Sequence, residues 1–373
     1  MTEAAPNSGA GWRIVHTEHS LGWGGQEHRV LAELCGFQQR GSRVWLLAPP
    51  SACLFARAQE AQVAARPLET SKLRFAFSVV QLARWLKTRR IQVLNPHSSR
   101  DGWLAGLAGR LARVPLIVRS RHIDVDYPHR WLSRHAYTTL CDHVITTSDK
   151  ITAHFQAMFG LPKERISTIP TGIDTRRFCP AGPKADWGVD AVRGPKIGMI
   201  SVLRSWKGHA TLLQAARRLK DQNFPARFII VGEGPARAFI LQQIGELDLS
   251  GVVTLAGHRE DVPEILRSLD LLVIPSTAHE GIPQIGLQAL ATGTPVIGSD
   301  AGGIPEIVRP NETGSLFPAG DAAALAAAIR ETLSNREKTA ALCRRGRALV
   351  ESQHSRDHML DGLDALYRRY LSP

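Results

Sequence analysis

The sequence predicts two doubly wound α/β domains joined by a short linker. Three observations lead there. Short β-branched runs alternate with stretches of helical apolar spacing along most of the chain. That rhythm breaks at "CPAGPKADWGVDAVRGP" (179–195), where proline, glycine and charge cluster, and then restarts. A chain of 373 residues with 43% hydrophobic content is also large enough for two such cores. Strands separated by helical segments imply right-handed βαβ units and parallel sheets.

In the first half, "WRIVHTE" (12–18) reads as a strand, followed by a glycine loop and a helix near 25–40. "SRVWLLAP" (42–49) is the next strand, and "FAFSVVQLARWLKTRR" (75–90) has helical spacing. "IQVLNPH" (91–97), a helix near 100–113, "PLIVRSRH" (115–122), "HVITTS" (143–148) with its following helix, and "ISTIPTGID" (166–174) complete the half. The second half starts at "KIGMISVL" (196–203) and continues with a helix near 207–221, "ARFIIVGEG" (226–234) and a helix near 235–246. "VVTLAG" (252–257), "LDLLVIPS" (269–276), a helix from about 283, "PVIGSD" (295–300) and "GSLFP" (314–318) follow. The expected organisation is therefore a domain over 1–178, a linker over 179–195, a domain over 196–354, and a last helix over 355–373 that packs back on the first domain. Two such domains facing a central cleft bind ligands at the carboxyl ends of their strands.

Charge is unevenly placed. Residues 1–180 hold 24 Lys and Arg against 13 Asp and Glu, a net of +11, whereas residues 181–373 balance at 22 against 21. A basic first half favours an acidic substrate or an anionic membrane surface. Nucleic acid is disfavoured, because no basic-plus-aromatic recognition module appears. Five scattered cysteines without a C-x-x-C suit free thiols. The first twelve residues lack the pattern of a signal peptide, and no long uncharged apolar stretch occurs. These features predict a cytoplasmic protein, peripheral on the inner face of the membrane at most.

Two stretches carry candidate chemistry. "GWGGQE" (22–27) nearly matches a dinucleotide fingerprint, but Glu27 occupies the last glycine position and the second strand ends without an acid. Gly24 and Gly25 keep a use, since their amides can approach an anion at a helix start. "STAHEGIPQIGLQALATGTPVIGSDAGGIPEI" (276–307) places Glu280 just before a helix and Gln288 eight positions on. A phosphate suits the amides of that helix start, and a carboxylate beside it suits hydroxyls attached near the phosphate. Sugars on diphosphates offer that arrangement.

The second stretch resembles the E-x7-E signature of glycosyltransferase family 4, retaining enzymes of the GT-B fold. Supporting matches follow in the family's order: "GGQEHRV" (24–30), "IPTGIDTRRF" (169–178), "WKGH" (206–209), "VGEGP" (231–235) and "LAGHREDVPEIL" (255–266). The resemblance implies that Glu280 binds hydroxyls of the donor sugar, and that backbone at Gly281, Ile282, Pro283, Gln284 and Ile285 holds the donor diphosphate. Gly257 and His258 join the donor side. Lys207 stands as the diphosphate lysine. The arginine usual five positions earlier is replaced by Val202, with Arg204 nearby as a substitute. Gln288 stands where a second Glu contacts the ribose, and an amide there forfeits roughly 1–2 kcal/mol of charge assistance.

His122 resembles the family's histidine near donor sugar and acceptor, and His97 ends the neighbouring strand in the same way. Arg119, Arg121 and Asp124 are acceptor-side candidates. Asp124 and Asp126 spell a D-x-D metal motif that belongs to a different glycosyltransferase fold, so neither metal nor other cofactor is expected. The implied partners are a nucleotide-sugar donor and a glycan or lipid-linked acceptor of cell-surface polysaccharide, lipopolysaccharide or glycolipid assembly. A basic run with Lys72, Arg74, Arg84, Lys87, Arg89 and Arg90 lies beside Phe75, Phe77, Trp85 and Leu86, in the manner of a surface for anionic lipid. Alternatives are a sugar-nucleotide-binding protein without transfer activity, or an epimerase or phosphorylase of the same shape. Oligomeric state has no signature here.

Overall fold

The computed structural model describes residues 11–69, 74–122, 130–187 and 194–371. Lys72, Asp124 and Asp126 lie outside these residues. Two compact units divide the chain. The first takes the described residues through His122, those from 130 to Ile169 and the segment from Met359 onward; the second runs from Pro170 to His358.

The first unit is a seven-stranded sheet in the order β3-β2-β1-β4-β5-β6-β7. Its strands are β1 (Arg13–Thr17), β2 (Arg43–Ala48), β3 (Ala64–Pro67), β4 (Val93–Pro96), β5 (Leu116–Arg121), β6 (His143–Thr146) and β7 (Ile166–Thr168). All pairs are parallel. The helices are α1 (Gly25–Gln39), α2 (Cys53–Glu60), α3 (Phe75–Thr88), α4 (Ser99–Ala112), α5 (Arg130–Thr138) and α6 (Asp149–Phe159). Strand alternation sends neighbours to opposite faces. Ile14 packs with Val30, Leu34 and Phe37 of α1, whereas Val15 packs with Leu82, Leu86 and Leu104 on the other side. The order reverses between β1 and β4, and at such a point the ends of two adjacent strands open a crevice.

The second unit repeats the plan with six parallel strands in the order β10-β9-β8-β11-β12-β13. These are β8 (Lys196–Ile200), β9 (Arg227–Val231), β10 (Val253–Gly257), β11 (Leu271–Ile274), β12 (Val296–Ser299) and β13 (Ser315–Phe317). Helices α7 (His209–Asp221), α8 (Arg237–Glu246), α9 (Val262–Ser268), α10 (Gln284–Thr292), α11 (Ile304–Ile307), α12 (Ala322–Ser334) and α13 (Arg336–Gln353) cover both faces. Its reversal lies between β8 and β11.

The last helix, α14 (Arg356–Leu371), buries Met359, Leu360, Leu363, Leu366 and Tyr367 among α1 and α2 residues of the first unit's core. The change of unit comes at Ile169 and Pro170, nine residues before the expected 178. The stretch expected as a linker does not hang free, because the second unit holds its described part. The Arg267 guanidinium donates to the carbonyls of Cys179 (2.8 Å) and Pro183 (3.0 Å), and the Trp187 indole donates to Ser268 Oγ at 2.9 Å. Among the described residues, no helix is long and apolar enough to cross a membrane.

Candidate functional site

Each unit carries a polar cluster where its strand order reverses. In the second unit the cluster forms after β8 and β11. Glu280 is buried, and its Oε1 accepts from Ser276 Oγ at 2.7 Å and from the Lys207 ammonium. Ser276 is itself fixed, its carbonyl accepting from Ser299 Oγ at 2.6 Å. The backbone around the pair is glycine-shaped. Gly208, next to Lys207, has φ +80°, and a Cβ there would lie 1.8 Å from the Pro275 carbonyl oxygen. Gly302 has φ +57°, and its Cβ would meet the Glu280 carbonyl at 2.3 Å. The glycines of "SDAGG" thus let one loop close over the backbone of Glu280.

Helix α10 begins at Gln284 with Pro283 as its N-cap, one position outside the helix. Its first turn bears no acidic side chain, so nothing there opposes an anion. Gly281, Ile282 and Pro283 are buried; Gln284, Ile285 and Gln288 are half-buried. Arg204 is exposed, with its guanidinium 5.1 Å over the Trp206 ring. Val202 is 36% exposed. Gly257, with φ +70°, and exposed His258 lie at the end of β10, an edge strand separated from β11 by β9 and β8.

In the first unit, His16 on β1, His97 after β4 and His122 after β5 form one file across three adjacent strands. His16 Nδ1 lies 2.8 Å from His97 Nε2, and His97 Nδ1 lies 2.9 Å from His122 Nε2. The rings stack at 5.0 and 5.2 Å between centroids. Desolvation dominates their titration: it holds His16 down at about 4 and His97 and His122 well below the usual histidine value. Behind His16 stands Glu33 of α1, whose Oε1 accepts from Arg29 Nε at 2.6 Å, both side chains fully buried.

Several expectations for this unit change. The guanidinium of Arg119 is interior, 4.3 Å from the Tyr137 ring centroid and beside Gly102 of α4. Arg121 is buried also. The Gly24 amide donates to Glu27 Oε2 at 2.9 Å, so the helix supplies its own anion at the place expected to take a ligand's. Gly25 is the first residue of α1. Phe75 and Trp85 pack against the core and Leu86 is buried, leaving Phe77 (61% exposed) and Val80 as the open apolar residues of α3.

Sequence reasoning missed His16, Glu33, Glu18 and Asp101. Burial, then the neighbouring Asp101 carboxylate, pushes Glu18 up to about 7, although Ser20 N and the Gln26 amide donate to it. Asp101 accepts from Thr17 Oγ1 at 2.6 Å and the His97 amide at 3.2 Å. A polar residue in or just after β1 was the available signal for His16 and Glu18; Glu33 in α1 and Asp101 in α4 carried none of that kind. Among the described residues, His16, Glu33 and His97 place metal-ligand atoms within 4.8 Å of one another. A cation there would meet the Arg29 charge and break the His16–His97 bond.

Residues 23–177 match the family described as Glycosyltransferase Family 4, and residues 190–349 match Glycosyl transferases group 1. The two matches, one in each half, together span most of the chain, and both are to glycosyltransferase families. It is 33% identical over 194 residues to an Escherichia coli K12 protein named as a colanic acid biosynthesis glycosyltransferase, covering 50% of this chain and 46% of that one. The chain thus spans about half the length of that relative. It is 28% identical over 261 residues to an Escherichia coli UDP-Gal:alpha-D-GlcNAc-diphosphoundecaprenol alpha-1,3-galactosyltransferase, covering 65% and 67%. The fold matches that of Anabaena HepE solved with UDP and glucose, with a TM-score of 0.82 at 19% identity, over 95% of this chain and 99% of that chain.

Proposed function

We propose that the protein is a retaining glycosyltransferase that moves a sugar from a nucleotide-diphosphate donor to an acceptor hydroxyl. The observation that carries this reading is the Lys207–Glu280 pair beside the start of α10. In the free protein the ammonium and the carboxylate satisfy each other. An incoming diphosphate competes for Lys207, and the α10 first turn adds its positive end. Glu280 is then released to accept hydroxyls of the attached sugar. As the glycosidic bond breaks, charge builds on the leaving diphosphate, where Lys207 is already placed to stabilise it. Retention follows if leaving and attack share one face of the sugar, with the acceptor's proton passing to the departing phosphate oxygen. The test is a panel of sugar nucleotides with the anomeric configuration of products read by NMR. One donor should be turned over with retention; no turnover of any donor, or inversion, overturns the reading.

Gln288 takes the ribose side of this proposal. Gln288→Glu is expected to keep or improve nucleotide affinity, by up to about thirtyfold for the roughly 1–2 kcal/mol a charged acceptor adds. Titration calorimetry with the nucleoside diphosphate measures it. A collapse of affinity means that the pocket excludes a carboxylate.

For the acceptor we propose a lipid-linked glycan at an anionic membrane face, as in polysaccharide or lipopolysaccharide assembly. Support comes from relatives named for such acceptors and from the first unit's surface. Exposed Phe77 and Val80 lie on α3, and exposed Trp131 and Leu132 on α5. A hollow of about 450 Å³ at the amino ends of β1, β4 and β5 is lined by Arg13, Lys87, Arg90 and Arg113. Each basic residue near the surface contributes about 1 kcal/mol, fading over roughly 8 Å at physiological salt. Neutralising Arg74, Lys87, Arg89 and Arg90 together should abolish co-sedimentation with anionic vesicles while leaving transfer to a soluble acceptor intact. Equal binding to neutral and anionic vesicles would refute this role.

A further inference from the structure

We infer that Glu33, His16 and His97 are positioning residues that fix the tautomer of His122, so that its Nε2 is an acceptor held inside the file and its Nδ1 carries the proton. The inference rests on the proposed transferase reading for its consequence, but not for its geometry. A neutral imidazole has one donor and one acceptor nitrogen. Two ring-to-ring hydrogen bonds among three neutral histidines therefore allow only two arrangements. Either every proton sits on Nδ1, with donation running from His16 to His97 to His122, or every proton sits on Nε2 and donation runs the other way.

Glu33 selects between them. Its Oε2 lies 3.8 Å from His16 Nδ1 and has no hydrogen-bond partner of its own, so its charge favours a proton on that nitrogen. His16 Nε2 is buried and also lacks a partner. The second arrangement would put an N–H there with no acceptor and leave Nδ1 without a proton beside the Glu33 carboxylate. The first avoids both. Arg29 Nε donates to the other oxygen, Oε1, at 2.6 Å and so holds the Glu33 carboxyl group in place. The choice made at α1 is thus handed across β1 and β4 to the end of β5.

The consequence for the proposed reaction is definite. The ring nitrogen that His122 has left over is a donor. It can give a hydrogen bond to a sugar or phosphate oxygen, and it cannot remove the acceptor's proton. That agrees with a transfer in which the departing phosphate takes the proton.

The experiment is a long-range proton–nitrogen correlation spectrum of the full chain labelled with ring-15N histidine at pH 7. The three signals are assigned by their disappearance in His16→Gln, His97→Gln and His122→Gln. Wild type should show protonated Nδ1 at all three; protonated Nε2 at any of them overturns the inference without need of a further variant. Glu33→Gln removes the negative charge that favours a proton on His16 Nδ1 and should shift all three tautomers together toward Nε2. It should also lower donor turnover by at least about tenfold with donor affinity little changed. An unmoved His122 tautomer in folded Glu33→Gln would equally overturn it. If wild type turns over no donor but shows the predicted tautomers, the transferase reading fails and the relay stands.

Discussion

Glu280→Ala is expected to lower turnover of the donor by about 10²–10³, the usual loss when one preorganised polar contact to a transition state is removed. Donor affinity should fall far less. The carboxylate is buried and held in place by Ser276, so it meets the sugar with little movement once the diphosphate has drawn Lys207 away. Interactions that tighten only as the bond breaks act on kcat more than on binding. Glu280→Gln keeps the shape and the Ser276 contact while losing the charge that holds Lys207, and should fall between wild type and alanine. The assay is steady-state release of the nucleoside diphosphate. Wild-type turnover in Glu280→Ala would remove Glu280 from the proposed mechanism.

Arg29→Met should destabilise the protein by about 3–5 kcal/mol, because it leaves the Glu33 carboxylate buried without its cation. Both side chains are fully shielded from water, and the Arg29 guanidinium also donates to the Ile169 carbonyl at 2.7 Å. The double variant Arg29→Met with Glu33→Leu removes both charges and should recover most of the loss, since apolar replacements of a buried pair are often neutral or better. Urea denaturation of the full chain measures both. A loss below about 1 kcal/mol in the single variant would mean that water or a neighbouring group compensates Glu33.

Much of the fold was legible because parallel strands buried on both faces read as near-continuous apolar runs. "RFIIV" and "LLVI" are examples, and each became a strand where expected. β3, with four partly exposed residues at the sheet edge, and the short α2 gave too little periodicity to read. Ser276 and Glu280 are four positions apart and local in sequence, whereas Lys207 lies 73 positions earlier and was singled out only through the resemblance of "WKGH". The histidine file is different. His16, His97 and His122 meet only because β1, β4 and β5 are adjacent in the sheet, an order no spacing in the sequence encodes. The surroundings of Arg119 were not legible in the sequence either. On a strand end it looked available, but Tyr137 on α5 and the small Gly102 on α4 take its guanidinium into the interior.

The return of α14 to the first unit has a consequence for biosynthesis. Ribosomes deliver a chain at about 5–20 residues per second, and domains generally fold as they emerge, amino-terminal first. Here Phe37, Val44 and Leu54 share a core with Met359, Leu363 and Tyr367, which are made about 190 residues after Ile169. The second unit, continuous from Pro170 to His358, is fully synthesised before that core can close. For tens of seconds a nascent chain therefore exposes the apolar face of α1 that α14 will cover. A chaperone that binds nascent chains would find its target there, in the half synthesised first and completed last.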